Sequence, residues 1–342
     1  MTPLLKQALI PLLAVLLAAC GSDKPSGPVQ LKGAGATFPQ PAYSKWIKEY
    51  TQDRSTVKIA YEPVGSAAGV EQLAAGQVDF AGSDMPLTDD QLAKFKTKPF
   101  HFPTLVGAVV PIYNVNGIST ELNFNADVLA GIYLGKIKSW SDPAIKKINP
   151  DVALTSTPIK VIHRAEGSGT THLLTDYLAK SSPAWKAAVG EGTSVKWPVG
   201  EALPSNEAVA EAVKKTPGAI GYVELNYAIQ QKIAHGKVQN SSGKFMQANF
   251  ESLGSALDTE QNTPADLRII ATNASGPNAY PIASYTYLLV PQKFDEVPKR
   301  DAMKRFLEWV FTDGQKSALS LDYNVLTPNI LEKVRVRVDR IQ

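Results

Sequence analysis

Cysteine is nearly absent from this chain of 342 residues: Cys20 is the only one. A lone thiol excludes an intrachain disulfide and any cysteine-built metal cluster. No dense run of Lys and Arg occurs, and 35 basic against 32 acidic residues leave a formal charge of only +3. The electrostatic footprint of a nucleic-acid binder is therefore missing. The apolar stretch from Ala8 to Ala19, interrupted by Pro11, is too short for a membrane span of about 20 residues. The histidines His101, His163, His172 and His235 fall at spacings that match no metal motif, and Ser168 has no evident Ser–His–Asp arrangement around it. Neither a metal nor a cofactor is expected.

The one cysteine sits where a specific chemistry needs it. Lys6 precedes the apolar run, which ends Leu17-Ala18-Ala19-Cys20 with Gly21-Ser22 after it. This matches the bacterial lipobox, in which the cysteine becomes the diacylated first residue of the mature protein. Residues 1–19 thus read as a signal peptide, and residues 20–28 as a lipidated Cys20 followed by a polar, Gly- and Pro-containing tether. Two or more acyl chains attach a protein stably to a membrane. The mature domain is expected in the periplasm or on the outer face of the cell envelope. Removal of residues 1–19 takes away Lys6 alone, so the charge falls from +3 to +2.

The remaining length suggests two domains, and 44% apolar residues suffice for two cores. Strand and helix patterns alternate. A helix from Phe38 to Tyr50 carries Tyr43, Trp46, Ile47 and Tyr50 on one face, and a strand follows at Val57–Tyr61. A helix with Val70 and Leu73 inward, a short strand Val78–Ala81 and a charged helix near Asp89–Phe95 come next. Leu105–Ile112 and Ile282–Val290 read as long strands buried on both faces. Between them lie a strand Ile159–Ile162, a helix from Thr170, a helix capped by Ser205 and a strand Ala219–Val223. A helix Lys299–Phe311 follows, and residues 331–341 fit either a strand or a helix. This rhythm implies an α/β fold with mainly parallel sheets and helices on both faces.

The most informative stretch is His163-Arg164-Ala165-Glu166-Gly167-Ser168-Gly169-Thr170-Thr171, directly before an apolar-periodic helix. Backbone N–H groups at a helix start lack internal partners, and the dipole there favours negative charge. Arg164 adds a planar, permanently charged fork that fits tetrahedral oxygens. Similar turns recur. Gly33-Ala34-Gly35-Ala36-Thr37-Phe38 opens the first helix, with Phe38 where a dinucleotide fingerprint needs a small residue. Gly65-Ser66-Ala67-Ala68-Gly69 opens the second, and Gly82-Ser83-Asp84 ends a strand at the sheet edge where open α/β sheets bind ligands.

Asp84 beside these donors selects among anions. Phosphate keeps a proton at physiological pH and donates it to a carboxylate, whereas sulfate has none to give. A site built around one specific hydrogen bond rejects an analogue lacking it by about 10⁴–10⁵.

The motifs GAGATFPQPAYSKW (33–46), GSAAGV (65–70), VDFAGSDMPL (78–87), IYLGKIKSWSDPAI (132–145), HRAEGSGTT (163–171) and PGAIGYVE (217–224) resemble the substrate-binding lipoprotein or periplasmic protein of the high-affinity phosphate ABC transporter. The resemblance runs from about Leu31 to the C-terminus. It implies a two-lobed, type II-like periplasmic binding fold joined by hinge strands, with residues 29–107 plus 283–342 in one lobe and 108–282 in the other. It implies that Thr37, Phe38 through its N–H, Ser66 and Asp84 contact phosphate from the first lobe. Arg164, Ser168, Gly169 and Thr170 do so from the second, with Glu166 orienting Arg164, and the terminal segment is helical. The implied partners are inorganic phosphate, permease subunits with their ATPase, and a membrane through Cys20; the protein is expected to be a monomer. The chain departs from the family at His163, Glu166 and Ala67-Ala68, where Arg, Asp and Ser-Gly are common. A binder of another tetrahedral oxyanion such as sulfate or molybdate, an envelope phosphatase and an adhesin stay open as alternatives.

Overall fold

A computed structural model describes residues 27–118, 120–257 and 263–342. The expectations for residues 1–26, the signal peptide and Cys20 included, lie outside the described residues. The strands are β1 (Val29–Gly35), β2 (Val57–Glu62), β3 (Phe80–Ser83), β4 (Pro99–Tyr113), β5 (Asn123–Phe124) and β6 (Lys160–Arg164). They continue with β7 (Glu201–Leu203), β8 (Ala219–Glu224), β9 (Ala234–His235), β10 (Lys237–Gln239), β11 (Phe245–Met246) and β12 (Ala283–Pro291).

Nine of these strands form one sheet in the order β2-β1-β3-β12-β4-β8-β6-β7, with β9 also on β4. The sheet is mixed. Its ends are parallel, β1 with β2 and β3, and β6 with β7 and β8. Its centre is antiparallel, because β12 runs against β3 and β4, and β4 against β8. The mainly parallel pattern thus holds in the flanks, and the two long strands introduce the antiparallel seam. β4 changes partner part-way: Ala108 pairs with Ala283 of β12, whereas Val109 pairs with Glu224 of β8. All of β4 from His101 to Tyr113 is buried, as a long and largely apolar run demands when both faces are covered.

The helices follow the apolar spacing of the sequence. In the helix Gln40–Thr51, Tyr43, Trp46 and Tyr50 are buried on one stripe. Several boundaries move, the first helix starting at Gln40 rather than Phe38 among them. The third strand starts at Phe80 rather than Val78, because Asp79 already pairs with Lys32: its N–H donates to Lys32 O at 2.7 Å, and its carboxylate accepts from the Lys32 N–H at 2.8 Å. The helix Val297–Trp309 passes into a wider π-helical turn, Val310–Gly314. The C-terminal segment is the helix Pro328–Asp339, capped by Thr327 with Pro at its start. Ile330, Val334 and Val338 recur every fourth residue on its buried face, which decides against a strand. Among the described residues no helix is long and apolar enough to cross a membrane.

Trp46 shows how the first helix is tied to the C-terminal part of the chain. Its ring stacks on Tyr43 with centroids 5.5 Å apart, and its Nε1 donates to Gly314 O in the π-helical turn at 2.7 Å. Replacing Trp46 by Phe keeps a ring and leaves that carbonyl unpaired, an expected cost of about 1–3 kcal/mol. Urea denaturation of both proteins checks this; equal midpoints would show that the bond contributes nothing.

Candidate functional site

Five loops converge at the C-terminal edges of the parallel strands. β1 leads to Thr37, β2 to Ser66, β3 to Asp84, β6 to the Ser168 turn and β7 to Asn206. This is where open α/β sheets place ligands. Two of these strands end in close backbone contact. Gly35 of β1 has φ +141°, and a Cβ there would lie 2.2 Å from Gly82 O of β3, so only glycine lets the two strand ends come this near.

Asp84 lies at the bottom of the cluster, 1% exposed. Thr286 Oγ1 donates to its Oδ1 at 3.0 Å, and Ser66 Oγ approaches Oδ2 at 3.5 Å. The Asp84 N–H donates to Ser66 Oγ at 3.3 Å. Burial pushes the Asp84 carboxyl up to about 7, against the opposing pull of the Thr286 hydroxyl, the Arg164 charge and Ser66.

The other wall is built on β6 and the helix Gly169–Ser181. Ser168 caps this helix by accepting the Thr171 N–H at 3.1 Å. The helix therefore begins one residue earlier than its apolar pattern indicates. Arg164 is 3% exposed. Its Nε donates to Glu166 Oε1 at 2.9 Å, its Nη2 bonds the same oxygen, and its Nη1 reaches Thr170 Oγ1 at 3.4 Å. Burial pushes the Glu166 carboxyl up, but the Arg164 guanidinium outweighs it and holds the group below its ordinary value. Glu166 Oε1 also accepts the Ser205 N–H at 3.1 Å, while Oε2 is buried without a partner.

The two walls meet. The Ala67 N–H donates to Gly167 O at 3.0 Å. A Cβ on Gly169 would lie 2.5 Å from Ser66 Oγ and 2.6 Å from Asp84 Oδ2, so the absence of a side chain there permits the contact. Thr37, 2% exposed, is held through its carbonyl by the Tyr227 hydroxyl at 2.7 Å, and Phe38 through its carbonyl by the Tyr323 hydroxyl at 2.8 Å. A cavity of about 700 Å³ opens beside Ser66 and Ala67, with His172, Asp176 and Arg268 in its walls.

The structure thus brings Thr37, Ser66, Asp84, Arg164, Glu166, Gly169 and Thr170 together in one cluster, with Phe38 next to Thr37 and Ser168 next to Gly169 in the chain. Asn206 and Thr286 join it without having been expected. Ser284 and Thr286 did carry a signal: two hydroxyls at alternate positions in an otherwise apolar strand face one side. The cluster offers hydroxyls, helix-start N–H groups and a guanidinium as donors, with the Asp84 carboxyl as the acceptor that Arg164 does not bond; Glu166 is bonded to Arg164. That suits a tetrahedral oxyanion that brings a proton. Two of the histidines are engaged elsewhere: His163 stacks on Trp197 with centroids 4.8 Å apart, and His101 Nε2 accepts the Leu87 N–H at 3.0 Å. Among the described residues no group of three or more His, Cys, Asp or Glu side chains is placed to hold a metal ion.

The family model of the PBP superfamily domain matches residues 22–314. The chain is 39% identical over 308 residues to the phosphate-binding protein PstS of Xylella fastidiosa (strain Temecula1), covering 90% of this chain and 84% of that one. It is 37% identical over 309 residues to the phosphate-binding protein PstS of Pasteurella multocida, covering 90% and 89%. The solved phosphate-binding protein from Stenotrophomonas maltophilia shares the fold with a TM-score of 0.71 at 21% identity, over 90% of this chain and 93% of that one. With these similarities and the cluster at its strand ends, the chain belongs to the PBP superfamily and, within it, to the PstS family of phosphate-binding proteins.

Proposed function

We propose that this protein captures inorganic phosphate outside the cytoplasm and delivers it, without chemistry, to the permease of an ABC importer whose ATPase drives uptake. Thr37, Phe38, Ser66 and Asp84 hold the anion from one lobe, and Arg164, Ser168, Gly169 and Thr170 from the other. The partner change of β4 between Ala108 and Val109 supports a lobe of residues 29–107 plus 283–342 and a second of 108–282. The observation that carries the reading is Asp84, a buried carboxyl set among donors. Apart from Glu166, which is engaged by Arg164, the surrounding groups can each give a hydrogen bond, so the ligand that fits is an acceptor nearly all round that still donates once.

The carboxyl level near 7 makes this selection depend on pH. Above it Asp84 is an acceptor, and sulfate meets it lone pair to lone pair. Below it Asp84 carries a proton and donates to sulfate. Calorimetric titration of the phosphate-stripped protein is expected to show tight phosphate binding throughout and sulfate binding that emerges only as pH falls below about 7. In Asp84→Asn the preference for phosphate narrows by at least about 100-fold and loses its pH dependence. Sulfate binding that ignores pH in the native protein would refute the proton-reading role.

Two further outcomes follow from the same cleft and its anchor. Gly169→Ala places a methyl against Ser66 and Asp84, and is expected to weaken phosphate binding by roughly 100-fold while the protein stays folded by circular dichroism. Affinity within threefold of the native protein would exclude close approach at Gly169. Cys20→Ala is expected to move the protein from the membrane to the soluble fraction and to remove the lipid mass from its N-terminus. A protein that stays in the membrane fraction would count against the anchor.

A further inference from the structure

Asn206 opens the helix Asn206–Lys215 and is fully buried. Its amide is oriented by a group of fixed polarity: the Glu224 backbone N–H donates to Asn206 Oδ1 at 3.1 Å. A backbone N–H can only donate, so the opposite end of the amide is the NH₂ group, which can only donate in turn. That group gives one bond to Thr37 Oγ1 at 2.9 Å and one to Thr170 Oγ1 at 3.2 Å. Each hydroxyl receives a second proton, Thr37 from the Asn206 N–H and Thr170 from Arg164 Nη1, both at 3.4 Å. A hydroxyl oxygen has two lone pairs. With both engaged, what it has left to offer is its own proton.

We propose that Asn206 is a positioning residue that sets the polarity of these two hydroxyls, one on each wall, and presents both as donors to the bound oxyanion. The proposal rests on the phosphate reading given above. The backbone before Asn206 supports it. Ser205 has φ 64° and ψ 159°, a conformation that is essentially confined to glycine and that persists where surrounding structure enforces it. Here the enforcement is visible: the Ser205 N–H donates to Glu166 Oε1 at 3.1 Å, and its Oγ accepts the Ala208 N–H at 3.2 Å. The strained residue thus links the partner of Arg164 to the residue that orients Thr37 and Thr170. Hydroxyls already turned to donate need no reorganisation when the anion arrives.

A double-mutant cycle tests this by phosphate titration calorimetry. Asn206→Ala is expected to weaken phosphate binding about tenfold in the native background. In the Thr37→Val, Thr170→Val background, with no hydroxyl left to orient, the same substitution is expected to change the affinity less than about twofold. An equal loss in both backgrounds would mean that Asn206 only supports the fold, and no loss in either would equally overturn the proposal. Asn206→Asp keeps the side chain's size but accepts where the amide donates, drawing both hydroxyl protons away from the anion. It is expected to weaken binding by on the order of 100-fold while the phosphate-free protein, destabilised by the buried charge, stays folded by circular dichroism. Near-native affinity in that variant would also overturn the proposal, and it serves where Asn206→Ala does not fold. Failure of the native protein itself to bind phosphate would instead remove the reading of the cleft on which this one depends.

Discussion

Burial of the Asp84 carboxyl governs the arrangement of the cleft. Moving a carboxylate out of water costs several kcal/mol even after relaxation, and Asp84 is 1% exposed. The hydroxyls of Thr286 and Ser66 recover part of that cost, as does the charge of Arg164, yet the carboxyl still sits near 7. The group is therefore poised between giving and accepting a proton. A partner that arrives with a proton of its own, and with oxygens for the surrounding donors, completes the hydrogen bonding that the protein leaves incomplete. The Gly169 backbone comes close to Asp84, which on the proposed reading lets the helix-start N–H groups reach the same ligand.

Formal charge contributes less to the cleft than its chemistry suggests. Arg164 is bonded to Glu166 through two of its nitrogens, and that pair sums to zero. What remains to hold an anion is a set of oriented dipoles: N–H groups at helix starts, hydroxyls and the outward edge of the guanidinium. Preorganised dipoles inside a dry site act strongly because water does not screen them and they need not reorient. The sheet supplies the preorganisation. Parallel strands end side by side, so loops that follow β1, β2, β3, β6 and β7 reach one edge, although residues as distant as Thr37 and Asn206 contribute.

The sequence exposed the cluster unevenly, for physical reasons. Thr37, Ser66, Asp84 and Ser168 through Thr170 lie in turns of small residues before helices, a local pattern that carries its own explanation. Leu105–Ile112 and Ile282–Val290 were legible as buried strands from apolar run length. Asn206 was hidden, since an asparagine beside a capping serine reads as ordinary helix-start chemistry; its hydrogen-bond partners Thr37 and Glu224 lie at sequence separations of 169 and 18. The antiparallel seam was hidden too, because alternating strand and helix patterns do not say which strands run on from one half of the sheet to the other. The start of β3 depends on a side chain, through the Asp79–Lys32 pairing, which apolarity does not encode.

The contacts between the two walls explain why an anion would control their approach. Directly bonded pairs across the cleft include Ala67 with Gly167 and Thr37 with Asn206. A neutral hydrogen bond exchanged for one with water contributes only about 0.5–1.5 kcal/mol net. A few such bonds leave closure near balance once the ordering of both walls is counted. A ligand shifts a balance only by binding one state better than the other, and moving it from mostly open to mostly closed takes about 5.5 kcal/mol of difference. An oxyanion held by Ser66 and Asp84 on one wall and by Arg164 and the Ser168–Thr170 turn on the other has that difference available, because in an open cleft it can reach one set alone. On the proposed reading, dividing the donors between the walls makes one set of hydrogen bonds serve both affinity and closure.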